Sequence, residues 1–260
     1  LNDMKNYEFK KEHLKLLEST SRTMYLSFKI LPSYVRYMLG YGYLIARALD
    51  SIVDSPNIEQ SLKISLLDLF SSPGFYRFRK EIERISLKAS KGLLAYERQL
   101  VIKLPKIVED FISELSLDDL SLLNFLLKGL SKGMMIDVMR FSNRSTINCI
   151  DGLSELIKYC RLIGGVPAIY WYRVYLKYNP KAYKNNVLNI AYRIGTALQI
   201  TNILKDICSD INISRSYIPK DYLESVGLRG NDLKDYRNID KIRPFISSMI
   251  LMAIDYFDGS

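Results

Sequence analysis

Tyr43-Leu44-Ile45-Ala46-Arg47-Ala48-Leu49-Asp50-Ser51-Ile52-Val53-Asp54 is the stretch from which the fold can be read. Its apolar residues do not alternate; they cover most of a helical circumference. At 100° per residue, Tyr43, Arg47, Asp50 and Asp54 project within about 60° of one another. The result is one polar stripe on an otherwise apolar helix. Working backwards, Pro32 suits a first helical turn, and the run from Tyr34 meets no breaker until Ser55-Pro56-Asn57, so one helix covers about 34–54. An isolated buried carboxylate is very costly, so Asp50 and Asp54 need a cation, an arginine or open water.

The stretch Val187 to Asp210 repeats the design, with Ile190, Ala191, Ile194, Ala197, Leu198, Ile200, Ile203, Leu204 and Ile207 covering most faces. Gln199, Asn202, Asp206 and Asp210 share the remaining stripe, within about 80°. Each helix thus carries an i, i+4 aspartate pair. If the two helices face each other across a bundle, four carboxylates and an amide converge on one cavity, an oxygen environment suited to Mg²⁺. Taken singly, either pair reads first as a solvated helix end or a salt-bridge partner. Two pairs, each with aligned polar residues, point to a site.

Outward from these helices the pattern stays helical, and alternation bounded by hairpin turns is hard to find. Ser116 followed by Asp119 resembles a capping box, and Leu120, Leu123, Leu127, Leu130 and Met134 then follow at helical spacing, which predicts a helix over about 118–141. Breaks at Ser71-Ser72-Pro73-Gly74, Asn143, Asn179-Pro180 and Ile218-Pro219 divide the remainder, giving roughly eight to ten helices in all. No linker-like or repeated stretch interrupts the 260 residues, and 48% hydrophobic composition allows one large core. The expectation is an all-α, single-domain chain.

Composition narrows the chemistry. Cys149, Cys160 and Cys208 show no CxxC spacing, which supports neither a disulfide framework nor a zinc site and fits a reducing cytoplasm. His13 is the single histidine, so His-based triads and transition-metal clusters are excluded and any metal is held by oxygen. No apolar run reaches the ~18–20 residues of a membrane span, and the opening residues do not read as a signal-peptide core. The net charge of +9 favours anionic partners, but the basic residues are scattered and form no nucleic-acid module.

Several blocks are recognisable together: Ser21-Arg22-Thr23-Met24-Tyr25-Leu26-Ser27 with Leu31-Pro32; the Tyr43–Asp54 stretch; Gly133-Met134 with Asp137; Tyr159-Cys160 followed by Gly165; Gln199-Ile200-Thr201-Asn202-Ile203-Leu204-Lys205-Asp206 through Asp210; and Arg215-Ser216-Tyr217-Ile218-Pro219. In this order they resemble the signature blocks of squalene and phytoene synthases, over about Glu18 to Tyr256, with 55–127 agreeing only in being helical. Lys205 stands where that family usually has Arg, Ser209 where an acidic residue is common, Gly164 where Ala is usual and Ser214 where Gly is usual. Lysine keeps the charge but loses bidentate phosphate geometry.

The resemblance implies an isoprenoid-synthase-like helical bundle with a central cavity. There two prenyl diphosphates, such as farnesyl diphosphate, are condensed head to head through a cyclopropyl diphosphate. It assigns Mg²⁺ to Asp50, Asp54, Asn202, Asp206 and Asp210, with the four aspartates and Tyr159 as the catalytic set. Substrate binding falls to Ser21, Arg22, Tyr43, Arg47, Gln199, Lys205, Arg215 and Tyr217. The reaction ends with hydride from NADPH, giving squalene, or with proton loss, giving phytoene or dehydrosqualene; the wording of the first block leans towards squalene. Release of a hydrocarbon suits peripheral contact with a membrane. Relatives continue past the point matching Asp258, and such a segment would help close the cavity. Oligomeric state is not encoded in any of these blocks. Head-to-tail elongation or cyclisation calls for an adjacent Asp pair, which Leu49-Asp50-Ser51 lacks. A non-catalytic lipid-binding or assembly protein on the same fold is the reading from another class.

Overall fold

Helical periodicity is realised along the chain. The computed structural model describes residues 7–21, 24–55, 57–142 and 145–259. Among them are twelve α-helical segments, more than the breaks suggest, because segments as short as eight and six residues are too brief to show a period. No described helix is long and apolar enough to cross a membrane. The chain forms two compact units, Leu1–Ser131 with Tyr170–Tyr183, and Lys132–Ile169 with Lys184–Ser260.

The first unit holds α1 (Lys11–Ser21), α2 (Met24–Ile30), α3 (Ser33–Asp54), α4 (Gln60–Ser71), α5 (Arg79–Ser90), α6 (Ala95–Ile112), the start of α7 (Leu117–Arg140) and the end of α9 (Val166–Tyr178). Helix α3 is its centre, packed by α1, α2, α4 and α6. Leu44, Ile45, Ala48, Leu49 and Ile52 retain no accessible surface. Each Leu or Ile so buried contributes about 1.5–3 kcal/mol. Tyr41 stacks on Phe9 at 4.5 Å and on Phe111 at 4.8 Å, and its hydroxyl lies 2.9 Å from His13 Nδ1. Burial lowers the His13 pKa despite the nearby Asp110 and Glu12, leaving a neutral core histidine.

The expected capping box at α7 forms: Ser116 Oγ accepts from the Asp119 N–H at 3.2 Å, and the Ser116 N–H and hydroxyl donate to Asp119 Oδ2 at 3.4 and 2.6 Å. Asp119 also accepts from the Tyr34 hydroxyl and from Lys177 Nζ, both at 2.6 Å, tying the starts of α3 and α7 to the end of α9.

The second unit holds the end of α7, β1 (Asn148–Cys149), α8 (Leu153–Cys160), the start of α9, α10 (Val187–Asn212), β2 (Arg215–Ser216), α11 (Lys220–Ser225) and α12 (Ile239–Asp258). A π-turn over Arg161–Gly165 joins α8 to α9, and α10 packs on that turn, on α8 and on α12. Backbones approach closely there: a Cβ on Gly164 would collide with the Gly195 carbonyl, and one on Gly195 with that of Gly164. Helix α10 is less buried than its composition suggests. Ala197, Ile200 and Ile203 are buried, whereas Ile194 and Leu198 are 36% and 53% exposed. Periodicity counts apolar residues but does not reveal which of them find a neighbour.

Strands β1 and β2 pair in parallel, Asn148 with Arg215 and Cys149 with Ser216. Two-residue strands carry no alternation to detect. Ser214, ahead of β2, adopts φ 63° in the left-handed region, which explains why glycine suits this position.

Candidate active site

Asp50 and Asp54 lie one turn apart at the end of α3, and Asp206 and Asp210 one turn apart near the end of α10. Carbonyls at a helix C-terminus carry partial negative charge, so a carboxylate there is disfavoured by about 0.3–1 kcal/mol unless a cation joins it. Asp54 and Asp210 lie in the last turns of their helices and meet that field most directly, with Asp50 and Asp206 one turn further in.

In the first unit Arg47 Nη1 donates to Asp50 Oδ2 at 2.6 Å, and its Nη2 lies 3.7 Å from Glu97 Oε1. Burial lowers the Arg47 pKa, but Asp50, Tyr43 and Glu97 more than offset it, so the guanidinium holds its proton more tightly than usual. The Tyr43 hydroxyl donates to the Thr20 carbonyl at 2.8 Å, and that of Ser21 to the Leu17 carbonyl at 2.5 Å. Both hydroxyls are thus engaged by backbone. Arg22 lies outside the described residues.

In the second unit Lys205 Nζ lies 3.5 Å from Asp206 Oδ2, with the two side chains 67% and 48% exposed. Asn202 is exposed and Gln199 half-buried on the same helix. Beside α10, β2 fixes Arg215, whose guanidinium stands 5.3 Å over the Phe141 ring, and leads directly into Tyr217. The Tyr159 and Tyr217 rings stack at 4.9 Å. Their hydroxyls donate to opposite oxygens of one carboxylate: Tyr159 to Asp137 Oδ2 at 3.0 Å, Tyr217 to Asp137 Oδ1 at 2.8 Å. Burial, then the charge of Asp137, then Tyr217 push the Tyr159 phenol well above its ordinary pKa. Burial and Asp137 do the same to Tyr217, against Arg215. Burial also pushes the neighbouring Cys160 thiol up to about 12, which removes it as a nucleophile.

The model of the squalene/phytoene synthase family matches residues 17–260. The chain belongs to the squalene/phytoene synthase family. Phytoene synthase 2, chloroplastic, of Oryza sativa subsp. japonica is 27% identical over 242 residues, 92% of this chain and 52% of that protein. Phytoene synthase 1, chloroplastic, of Solanum lycopersicum is 33% identical over 125 residues, 48% of this chain and 30% of that protein. Against the rice protein the chain spans about half the relative's length.

Among solved structures, a ligand complex of TcSQS superposes with a TM-score of 0.73 at 19% identity, covering 95% of this chain and 68% of that one. Squalene synthase HpnC from Alicyclobacillus acidocaldarius gives 0.59 at 17% identity, covering 95% and 80%. At such identities the likeness concerns the fold, which is the all-α squalene synthase fold.

Family membership sharpens what the residues can hold. No group of three or more His, Cys, Asp or Glu side chains forms a closed metal centre among the described residues. Mg²⁺ does not need one, because it keeps several waters and binds through one or two carboxylates plus substrate phosphates. A two-carboxylate helix end fits that requirement, and α3 and α10 each supply one. Asp137 was not among the sequence candidates. Its signal, a lone aspartate on the apolar side of α7 beside Gly133-Met134, was present, but its partners lie 22 and 80 residues away along the chain.

Proposed function

We propose that this chain condenses two prenyl diphosphates head to head through a cyclopropyl diphosphate intermediate. The observation that carries the reading is the recurrence of an i, i+4 aspartate pair near the C-terminal end of both α3 and α10, with Asp54 and Asp210 in the last turn, where a carboxylate is unfavourable without a cation. Asp50 and Asp54 in the first unit, and Asp206 and Asp210 with Asn202 in the second, would each hold Mg²⁺. Bound there, Mg²⁺ supplies positive charge that neutralises the leaving diphosphate.

Arg47, Lys205 and Arg215 add charge-assisted hydrogen bonds that strengthen as the diphosphate departs, and Gln199 adds a neutral donor. The Arg47–Asp50 ion pair presets the guanidinium in the aspartate stripe. Tyr43 and Ser21, with hydroxyls turned to backbone, serve as wall rather than as donors to phosphate. Tyr159 and Tyr217 present a stacked aromatic pair suited to developing positive charge on carbon. Burial and the charge of Asp137 keep the Tyr159 phenol protonated, and a neutral phenol is a poor proton acceptor. The proton lost on closing the cyclopropane therefore passes to the departed diphosphate.

Farnesyl diphosphate converted to squalene with NADPH is the reading that the Tyr43–Asp54 block favours. A second reading, ending in proton loss without a reductant, is favoured by the phytoene synthases among the relatives. Incubation with farnesyl or geranylgeranyl diphosphate and Mg²⁺, with and without NADPH, followed by mass spectrometry of the hydrocarbon, separates them. A hydrocarbon requiring NADPH supports the first and one formed without it the second. Substrate binding with no diphosphate release would instead support a lipid-binding protein on this fold.

A further inference from the structure

Among the described residues, Asp137 is the one strongly buried carboxylate of the second unit, 6% exposed, beside Tyr159 at 5% and Tyr217 at 6%. A carboxylate in such surroundings is costly unless its oxygens receive hydrogen bonds. The two phenols supply one to each oxygen, at 3.0 and 2.8 Å, and the Tyr217 hydroxyl is also within 3.0 Å of the Tyr159 oxygen. The three side chains come from α7, α8 and the turn after β2, so the cluster joins three elements of the unit at one point. For core packing alone, phenylalanines and a leucine would serve without the desolvation of a carboxylate.

We propose that Asp137 is the positioning residue for Tyr159: by accepting a hydrogen bond from the Tyr159 hydroxyl on Oδ2 and one from the Tyr217 hydroxyl on Oδ1, it fixes both phenols as neutral donors and locks the ring pair in its stacked geometry. The proposal rests on the reading of Tyr159 as part of the reacting wall. Its consequence is that Tyr159 acts through its ring and its oriented oxygen and not as a proton acceptor. An ionised phenol beside a carbocation would trap it as an ether, and a carboxylate would trap it as an ester. Engaging the Asp137 oxygens with two phenol protons guards against both.

The test is Asp137→Asn, read in two ways. An amide offers one acceptor oxygen, so one phenol must lose its partner and meet an N–H₂ group instead. In proton NMR of the whole chain, two slowly exchanging phenol hydroxyl signals are expected, each assigned by its loss in Tyr159→Phe or Tyr217→Phe, and Asp137→Asn should shift or remove both. In turnover, Asp137→Asn should lower kcat by about 10²-fold with KM little changed, as for a misplaced group. Combining it with Tyr159→Phe should cost no more than Tyr159→Phe alone.

Unshifted hydroxyl signals, or an Asp137→Asn enzyme with normal kcat and only a lower melting temperature, would overturn the proposal. If the wild type made no hydrocarbon, the proposed function would fail, and the hydroxyl signals alone would still decide whether Asp137 holds both phenols. Should Asp137→Asn not fold, Tyr217→Phe takes its place. It removes one of the two phenol donors to Asp137 and is expected to shift the Tyr159 hydroxyl signal and lower kcat; no change in either would overturn the proposal.

Discussion

Replacing Asp206 by Asn should slow turnover by about 10²-fold and leave the fold untouched. The Asp206 side chain is 48% exposed, and its ion-pair partner Lys205, at 3.5 Å, is 67% exposed. Such a pair is worth well under about 1 kcal/mol. Asp206 lies more than one turn before the end of α10, where the helix dipole adds little, so losing this exposed pair is the main effect on stability. At about 2–4 °C per kcal/mol, the melting temperature should move by no more than about 2 °C. Catalysis should respond differently. Loss of one carboxylate weakens the cation site, and a barrier raised by about 3 kcal/mol slows ionisation by about 10²-fold. The assay is the initial rate of diphosphate release across a Mg²⁺ titration, with a thermal melt of the same sample. The half-saturating Mg²⁺ concentration should rise and kcat fall. A variant with wild-type rate and a lowered melting temperature would show that Asp206 is only a salt-bridge partner and refute the reasoning.

Asp119→Asn should do the reverse, costing about 2–4 kcal/mol by denaturant titration. It breaks a buried ion pair, discounted because Lys177 is 34% exposed. Burial raises the Asp119 pKa, but hydrogen bonds from Lys177, Ser116 and Tyr34 outweigh it, so the folded value lies below the ordinary 3.8. Its stabilisation is therefore complete above that ordinary value and is lost as pH falls through the depressed folded one. The Asn variant should lack this share of the acid-induced loss in a pH series of unfolding curves. Gly164→Ala should destabilise by about 1–3 kcal/mol, although alanine is usual at this position in the family, because here the new methyl meets the Gly195 carbonyl. Unchanged denaturation midpoints would refute that close approach.

The long helices were legible because length, breakers and apolar periodicity agree in them. Helix α3 ends at Asp54 ahead of Ser55-Pro56, and α7 starts where Ser116 and Asp119 cap it. The aspartate pairs were legible because they are local, one turn apart on one stripe. What was hidden is non-local. Nothing near Asp137 announces Tyr159 or Tyr217, and β1 and β2 are paired across more than sixty intervening residues with no alternation to betray them. The exposure of Leu198 was hidden for the same reason, since the pattern along α10 does not say which apolar residues find a partner.

The central claim is head-to-head joining, and the stoichiometry of diphosphate release tests it most directly. Head-to-head condensation carried to hydrocarbon discards both diphosphates. Head-to-tail elongation discards one per new bond and leaves its product still phosphorylated. With a radiolabelled prenyl diphosphate, Mg²⁺ and NADPH, the account predicts two diphosphates released for each hydrocarbon formed, with no longer prenyl diphosphate. One diphosphate per coupling, with the label recovered in a longer linear prenyl diphosphate that contains no cyclopropane, would contradict it.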